Sequence, residues 1–81
     1  MKIQVHLFAR AKDLIGASLV QLELPEGATV GDLRRGLAER YPNLRSLLQR
    51  SALAVQDEFA QDTWRLPAEA EIALLPPVSG G

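Results

Sequence analysis

The residues whose types most clearly suggest a reaction are the last two of the 81-residue chain, Gly80 and Gly81. Neither carries a Cβ atom, so the terminal carboxylate can enter a narrow enzyme channel and its carbonyl stays open to nucleophiles. A free carboxylate is a poor electrophile. A partner enzyme and ATP would have to convert it to an acyl-adenylate, from which a sulfur nucleophile could form a thiocarboxylate. A frayed terminus or an expression scar is the competing explanation, since two terminal glycines arise by chance in about one chain in 200.

The residues before the two glycines suit a segment that leaves a folded body. Pro76-Pro77 cannot continue a central strand and favours an extended, polyproline-like exit. Val78 and Ser79 are small side chains that cannot repay the entropy of packing down. We therefore predict a folded domain over residues 1–75 and a flexible C-terminal tail over residues 76–81.

The rest of the chain offers little chemistry of its own. Cysteine is absent, which excludes disulfides, thiolate metal sites and a cysteine nucleophile. His6 is the single histidine, and its alternation with Val5 and Leu7 points it away from the core. The ten carboxylates are dispersed among basic and polar neighbours. We predict no metal site and no catalysis by this chain alone, so that catalytic groups must come from partners.

Charge and hydropathy exclude two classes of partner. The formal net charge is −1 with interspersed signs, which does not favour nucleic acid or a membrane surface. No apolar run approaches the ~18 residues needed to span a bilayer, and the N-terminus lacks the features of a signal peptide. We expect a single cytoplasmic domain.

Short strands are predicted on both sides of one amphipathic segment. Ile3, Val5 and Leu7 form the first alternation, and a second covers residues 20–24, so the two should pair as an antiparallel hairpin. Between them, residues 9–16 are predicted as a loop or a short helical turn. Two further strands are predicted over residues 53–56 and 71–75, with a turn at Asp57-Glu58 and a loop or short helical turn at residues 43–50. The order is ββαββ.

The amphipathic segment predicts a helix with a defined start. Thr29 is a good N-cap, and Asp32 three residues later completes a capping box with a shorter acid than usual. Arg35 and Glu39 have the i,i+4 spacing of a surface ion pair, and Pro42 stops the helix. The apolar residues of the stripe facing the core are Val30, Leu33, Leu37 and Tyr41.

Several segments together resemble the MoaD/ThiS family, in particular the small, sulfur carrier subunit of molybdopterin synthase. The resemblance covers essentially the whole chain and implies an α+β, ubiquitin-like β-grasp fold, with a mixed sheet packed on one main helix. The ending Pro-Pro-Val-Ser-Gly-Gly is specific to the molybdopterin branch, whereas thiazole-pathway carriers generally share only Gly-Gly. The segments that carry the resemblance are residues 7–10 (LFAR), 13–16 (DLIG), 29–33 (TVGDL), 54–55 (AV) and 75–81 (LPPVSGG).

The resemblance implies a role that composition and spacing do not show. Gly81 would carry sulfur, with Gly80 as its steric companion, after adenylation by an E1-like enzyme that uses ATP. The chain itself would hold no permanently bound cofactor. The thiocarboxylate would then enter the large subunit of molybdopterin synthase, within a heterotetramer of two small and two large subunits. There it would donate sulfur to cyclic pyranopterin monophosphate and build the dithiolene of molybdopterin.

An apolar docking surface is also implied by the resemblance, and it would fall on Phe8, Phe59 and Leu75. Phe8 breaks the alternation of the first strand, and Leu75 is out of phase with the apolar residues before it, so both should face away from the core. We predict that the three residues form one contiguous patch. The tail residues Pro76, Pro77, Val78 and Ser79 complete the predicted partner-binding set.

Two other functions stay open, and two turns depart from the family pattern. The chain could be a sulfur carrier for thiazole synthesis or transfer-RNA thiolation, or a ubiquitin-like protein modifier. Gln56 stands where the family commonly has Asn after the Ala-Val pair. Residues 67–71 (PAEAE) replace the usual Asp-Gly-Asp-Glu turn before the last strand.

Overall fold

A computed structural model of the chain describes residues 1–77. Five strands form one mixed sheet in the order β2-β1-β5-β3-β4. The central pair, β1 and β5, is parallel, and the other three pairs are antiparallel. The elements are β1 (Lys2–Leu7), α1 (Ala9–Ile15), β2 (Leu19–Glu23), α2 (Val30–Arg40), a 3₁₀ turn (Pro42–Leu44), α3 (Arg45–Leu48), β3 (Ala52–Val55), β4 (Glu58–Phe59) and β5 (Glu71–Leu75).

The core lies between one face of the sheet and the main helix, α2. On β1 the alternation predicted from sequence is confirmed, because Ile3, Val5 and Leu7 are buried while the residues between them are not. Ile72 and Leu74 of β5 point to the same interior, in register with Val5 and Leu7. From α2 the residues that meet them are Val30, Leu33 and Leu37, all fully buried. The predicted α+β architecture, with a mixed sheet on one main helix, is confirmed.

The start of α2 is fixed by the capping box predicted from sequence. The Asp32 backbone N–H donates to Thr29 Oγ1 at 3.2 Å, and the Thr29 N–H donates to Asp32 Oδ2 at 2.9 Å. That Thr29 N–H lowers the pKa of Asp32 below its ordinary value, against a smaller effect of desolvation. The Thr29 hydroxyl and the Arg35 guanidinium lower this pKa further. The box therefore holds a carboxylate charge at the positive end of the helix dipole.

One predicted detail of α2 is wrong. Arg35 does not pair with Glu39, and its guanidinium instead donates to Asp32, one turn towards the N-terminus. The capping box already holds the Asp32 carboxylate in place, so it is the preorganised acceptor. Tyr41 packs partly against the core, as the apolar stripe predicts, and it caps the helix with non-helical φ and ψ of −127° and 80°. A following proline disfavours the helical conformation, and Tyr41 precedes Pro42.

A further correction concerns residues 9–16, which were predicted as a loop or short helical turn. They form the seven-residue helix α1. Ala11 is fully buried, and Leu14 and Ile15 pack partly against the core, so the segment gains tertiary contacts that its short length conceals. Gly16 ends the helix in the left-handed region at φ +79°, where its N–H donates to the Lys12 carbonyl at 2.8 Å.

The hairpin between β3 and β4 turns one residue earlier than predicted. Its central residues are Gln56 and Asp57, with φ of +49° and +69°, while Glu58 already pairs with Val55. A two-residue hairpin loop of this type needs positive φ at both positions. The strand predicted over residues 53–56 therefore begins and ends one residue earlier, as β3.

Arg34, whose side chain is partly buried, holds the long connection between β4 and β5 against α2. Arg34 Nη1 donates to the carbonyls of Leu48 and Ser51, the latter at 2.9 Å. Its Nε and Nη2 donate to Asp62 Oδ1 at 3.2 and 3.0 Å. The Gly31 N–H in turn donates to the Asp62 carbonyl at 2.9 Å. These contacts join α2 to α3 and to the loop that returns the chain to the centre of the sheet.

Replacing Asp32 by Asn should change the acid sensitivity of the fold. A carboxylate with a depressed folded-state pKa stabilises the protein above the unfolded-chain value of about 3.9 and loses that contribution as the pH falls through the folded value. Urea unfolding at a series of pH values should therefore show Asp32→Asn less stable than the wild type at neutral pH. The difference should shrink below about pH 4. A difference that does not depend on pH would contradict this role.

Candidate functional site

The face of the sheet turned away from α2 is built by strand register. Phe59 lies opposite Ala54, Ala54 opposite Ala73, and Ala73 level with His6. His6 in turn pairs with Leu19 on the edge strand β2. Because paired residues project to the same side of a sheet, these five side chains form one row across the outer face. Apart from His6, the row is apolar.

A second row continues the apolar surface towards the end of the sheet. Leu75 pairs with Ala52 on β3 and is half-buried. Phe8 keeps extended backbone angles of −128° and 156°, so continuing the β1–β5 register by one residue brings it level with Leu75. Phe8 is 47% exposed and Phe59 is 73% exposed. The structure thus brings Phe8, Phe59 and Leu75 to one face, and partner binding there stays a prediction.

A hollow of about 360 Å³ lies within this face, and we call it the outer hollow. Ala54 and Ala73, which pair across β3 and β5, form its floor, and Phe8, Asp57 and Glu71 also line it. The other residues that line it are His6, Gln56 and Ile72.

His6 lies within hydrogen-bond distance of a carboxylate at this hollow. Its Nε2 lies 3.1 Å from Glu71 Oε1. His6 therefore projects from the outer face, as its place in the alternation predicted, and orients a carboxylate at the rim of the hollow.

The last strand determines where the chain leaves the domain. Since β5 runs parallel to β1, its C-terminal end lies at the same edge of the sheet as Leu7 and Phe8. Pro76 follows β5 half-buried, and Pro77 is exposed. The predicted site residues Val78, Ser79, Gly80 and Gly81 lie outside the described residues. Their roles, and the predicted tail over 76–81, stay predictions.

Within residues 1–77, no group of three or more His, Asp or Glu side chains is placed to hold a metal ion. No helix in the same range is long and apolar enough to cross a bilayer.

Two exposed apolar residues were missed in the sequence. Leu19 is 40% exposed and extends the outer face onto β2. The sequence did contain a signal for Leu19. It directly precedes the inward-facing Val20 and is out of phase with it, as Phe8 is with Leu7. Trp64 is 42% exposed in the β4–β5 connection. No periodic pattern surrounds it, so the sequence carried no comparable signal.

Comparison with known proteins places this chain in a family. The ThiS family matches residues 5–81, nearly the full chain. The chain belongs to the ThiS family. Among its relatives are molybdopterin synthase sulfur carrier subunits from Arabidopsis thaliana and Dictyostelium discoideum. The first is 33% identical over 100% of this chain and 84% of that protein, and the second is 38% identical over 99% and 96%.

Solved structures agree with this family assignment. Small archaeal modifier protein 1 (SAMP1) from Haloferax volcanii has a TM-score of 0.88 at 30% identity, with 100% of both chains covered. Two others share the fold alone, at 24% identity and a TM-score of 0.70. One is a complex of subunits 1 and 2 of molybdopterin-converting factor from Helicobacter pylori, and the match covers 100% of both chains. The other is a Caldiarchaeum subterraneum ubiquitin, and the match covers 100% of this chain and 98% of that one. The predicted ubiquitin-like β-grasp fold is confirmed.

Truncating an outer-face aromatic should leave stability nearly unchanged. Phe59 is largely exposed, so Phe59→Ser should alter the free energy of unfolding by no more than about 0.5 kcal/mol. The matched control is Leu74→Ala on the opposite face of the same sheet, which should cost about 2–5 kcal/mol because Leu74 is fully buried. Denaturant melts of both variants test the division between core and surface. Equal losses would contradict it.

Proposed function

We propose that this ThiS-family chain is the sulfur carrier subunit of a molybdopterin synthase. The observation that carries the proposal is its similarity, along its whole length, to proteins that bear that name in plants and in a slime mould. The geometry supports it in one respect. Strand β5 ends beside Phe8, so Pro76 and Pro77 follow it at the edge of an exposed apolar face.

In the proposed reaction the chemistry takes place on the carboxylate of Gly81. An E1-like partner would join this carboxylate to the α-phosphate of ATP, with release of pyrophosphate, to give an acyl-adenylate. A sulfur nucleophile would then displace AMP and leave a thiocarboxylate. That group would donate its sulfur to cyclic pyranopterin monophosphate. The dithiolene has two sulfur atoms, so two thiocarboxylated carrier chains are needed for each pterin.

The catalytic groups of this proposal lie on a partner, the large synthase subunit. A solved structure from Helicobacter pylori that shares this fold is a complex of subunits 1 and 2 of molybdopterin-converting factor. It supports an equivalent pairing between this chain and a large subunit. The face carrying Phe8, Phe59 and Leu75 is the surface we assign to that pairing. It carries the exposed aromatic side chains of Phe8 and Phe59, and aromatic residues are enriched at the centres of protein interfaces.

Altering the terminus should abolish sulfur transfer without unfolding the domain. We expect that deletion of Gly81, or addition of one residue after it, eliminates molybdopterin formation in a reconstitution with the activating enzyme, a sulfur source, ATP and the large subunit. The free energy of unfolding should change by no more than about 0.5 kcal/mol, because the tail is predicted to lie outside the core. Full synthase activity from the deletion variant would refute the proposed reaction.

Truncating Phe8 should weaken docking on the large subunit. Phe8→Ala removes an exposed aromatic ring from the assigned surface, and the dissociation free energy should fall by more than about 1 kcal/mol. Calorimetric titration measures this, with Trp64→Ala as the matched control, since Trp64 is equally exposed but lies in the β4–β5 connection. An unchanged affinity for a folded Phe8→Ala chain would reject the assignment.

Similarity to SAMP1, whose name describes a protein modifier, favours a second candidate function. In that case the activated Gly81 carboxyl would form an isopeptide bond with a lysine of another protein. Extracts of cells that express a tagged chain would then contain higher-mass adducts resistant to boiling and thiol reductants. Such adducts should disappear when Gly81 is deleted, and their absence in the wild type excludes this alternative.

A further inference from the structure

The outer hollow has two chemically different ends over an apolar floor. Ala54 and Ala73 face each other across the β3–β5 pair, and their methyl groups allow a partner side chain to approach the sheet closely. Phe8 adds apolar surface at one side. Asp57 and Glu71 stand together at another, because the Gln56 backbone N–H donates to the Glu71 carbonyl at 3.2 Å and holds the hairpin turn against the start of β5.

The acidic end has no lysine or arginine paired with it among residues 1–77. The Glu71 side chain is 66% exposed, and one of its oxygens meets His6. A carboxylate has about four lone-pair sites, so acceptor capacity remains for a partner. No lysine or arginine among residues 1–77 lines the hollow. Lys2 lies on the same strand as His6 and lines a neighbouring depression together with Gln4, Glu69 and Glu71 itself. Among residues 1–77 the ion-pair partner of Glu71 is His6, and Lys2 does not reach it.

We propose that the outer hollow receives an arginine side chain of the protein that docks on this face. The methylene stem would lie on Ala54 and Ala73, and the guanidinium would donate to Glu71 and Asp57. This inference rests on the proposed function, since it names a chemical requirement for the docking partner. It makes Glu71 and Asp57 specificity residues rather than passive surface charges.

Arginine fits this site better than the other side chains that a partner could present. An aliphatic occupant would cover the floor but desolvate Asp57 and Glu71 without giving either carboxylate a new hydrogen-bond donor, which is unfavourable. A lysine offers one compact, strongly hydrated charge, whereas the planar guanidinium has five donors and can serve both carboxylates at once. An acidic partner surface would meet like charge and be rejected.

The test measures affinity for the large synthase subunit encoded by the same genome, at low and high ionic strength. Glu71→Gln should weaken binding about tenfold, and the double variant with Asp57→Asn more strongly, with a smaller dependence on salt than the wild type. Glu71→Arg should weaken it about a hundredfold, because like charges would face each other. The matched control is Glu39→Gln, which removes an equal charge from exposed α2 and should bind as the wild type does.

The possible outcomes distinguish failure of the arginine site from failure of the proposed sulfur carrier function. Wild-type binding that Glu71→Gln and Asp57→Asn leave unchanged overturns the inference alone. An equal loss in Glu39→Gln also overturns it, because the effect would then be one of net charge. If the wild-type chain does not bind the large subunit at all, the proposed function and this inference fall together. Circular dichroism of each variant shows that the fold is intact.

Discussion

The parallel pairing of β1 with β5 at the centre of the sheet is the constraint on which the rest of the molecule depends. Parallel strands cannot be joined by a tight turn, so the chain needs a long path between them. Helix α2, the short helix α3 and the β3–β4 hairpin all lie on that path. The pairing also sets the direction of β5, and with it the edge of the sheet at which Pro76 and Pro77 begin.

Arg34 shows how the long path is held in place. Its guanidinium joins α2 to the carbonyls of Leu48 and Ser51 and to the carboxylate of Asp62. Backbone carbonyls at a helix end and a loop carboxylate are otherwise hydrated groups, and a single five-donor side chain satisfies several of them. Because the connection is held in this way, strands that are far apart in sequence lie side by side and form the outer face. This face has an apolar region where the chain leaves β5 and acidic residues near the start of β5.

The sequence predicted those parts of the fold whose signals are local. Alternation on β1 and β5 and the capping box at Thr29 are set by near neighbours, and the structure has them as predicted. Helix α1 was underestimated because its stability comes from Ala11, Leu14 and Ile15 reaching a core built elsewhere. The hairpin turn was misplaced by one residue because Gln56 is not a typical positive-φ residue. At the site, phase breaks revealed Phe8 and Leu75, but the outer hollow depends on cross-strand register, which no local pattern encodes.

The central claim is that this chain carries sulfur on its terminal carboxylate, and the intact mass of the protein tests it most directly. The chain should be purified after co-expression with its activating enzyme and a sulfur donor, and compared with the chain expressed alone. The proposal predicts a second species heavier by the difference between one sulfur and one oxygen atom, with the added mass located on the C-terminal peptide. A single unmodified mass under conditions in which the activating enzyme forms the acyl-adenylate would contradict it.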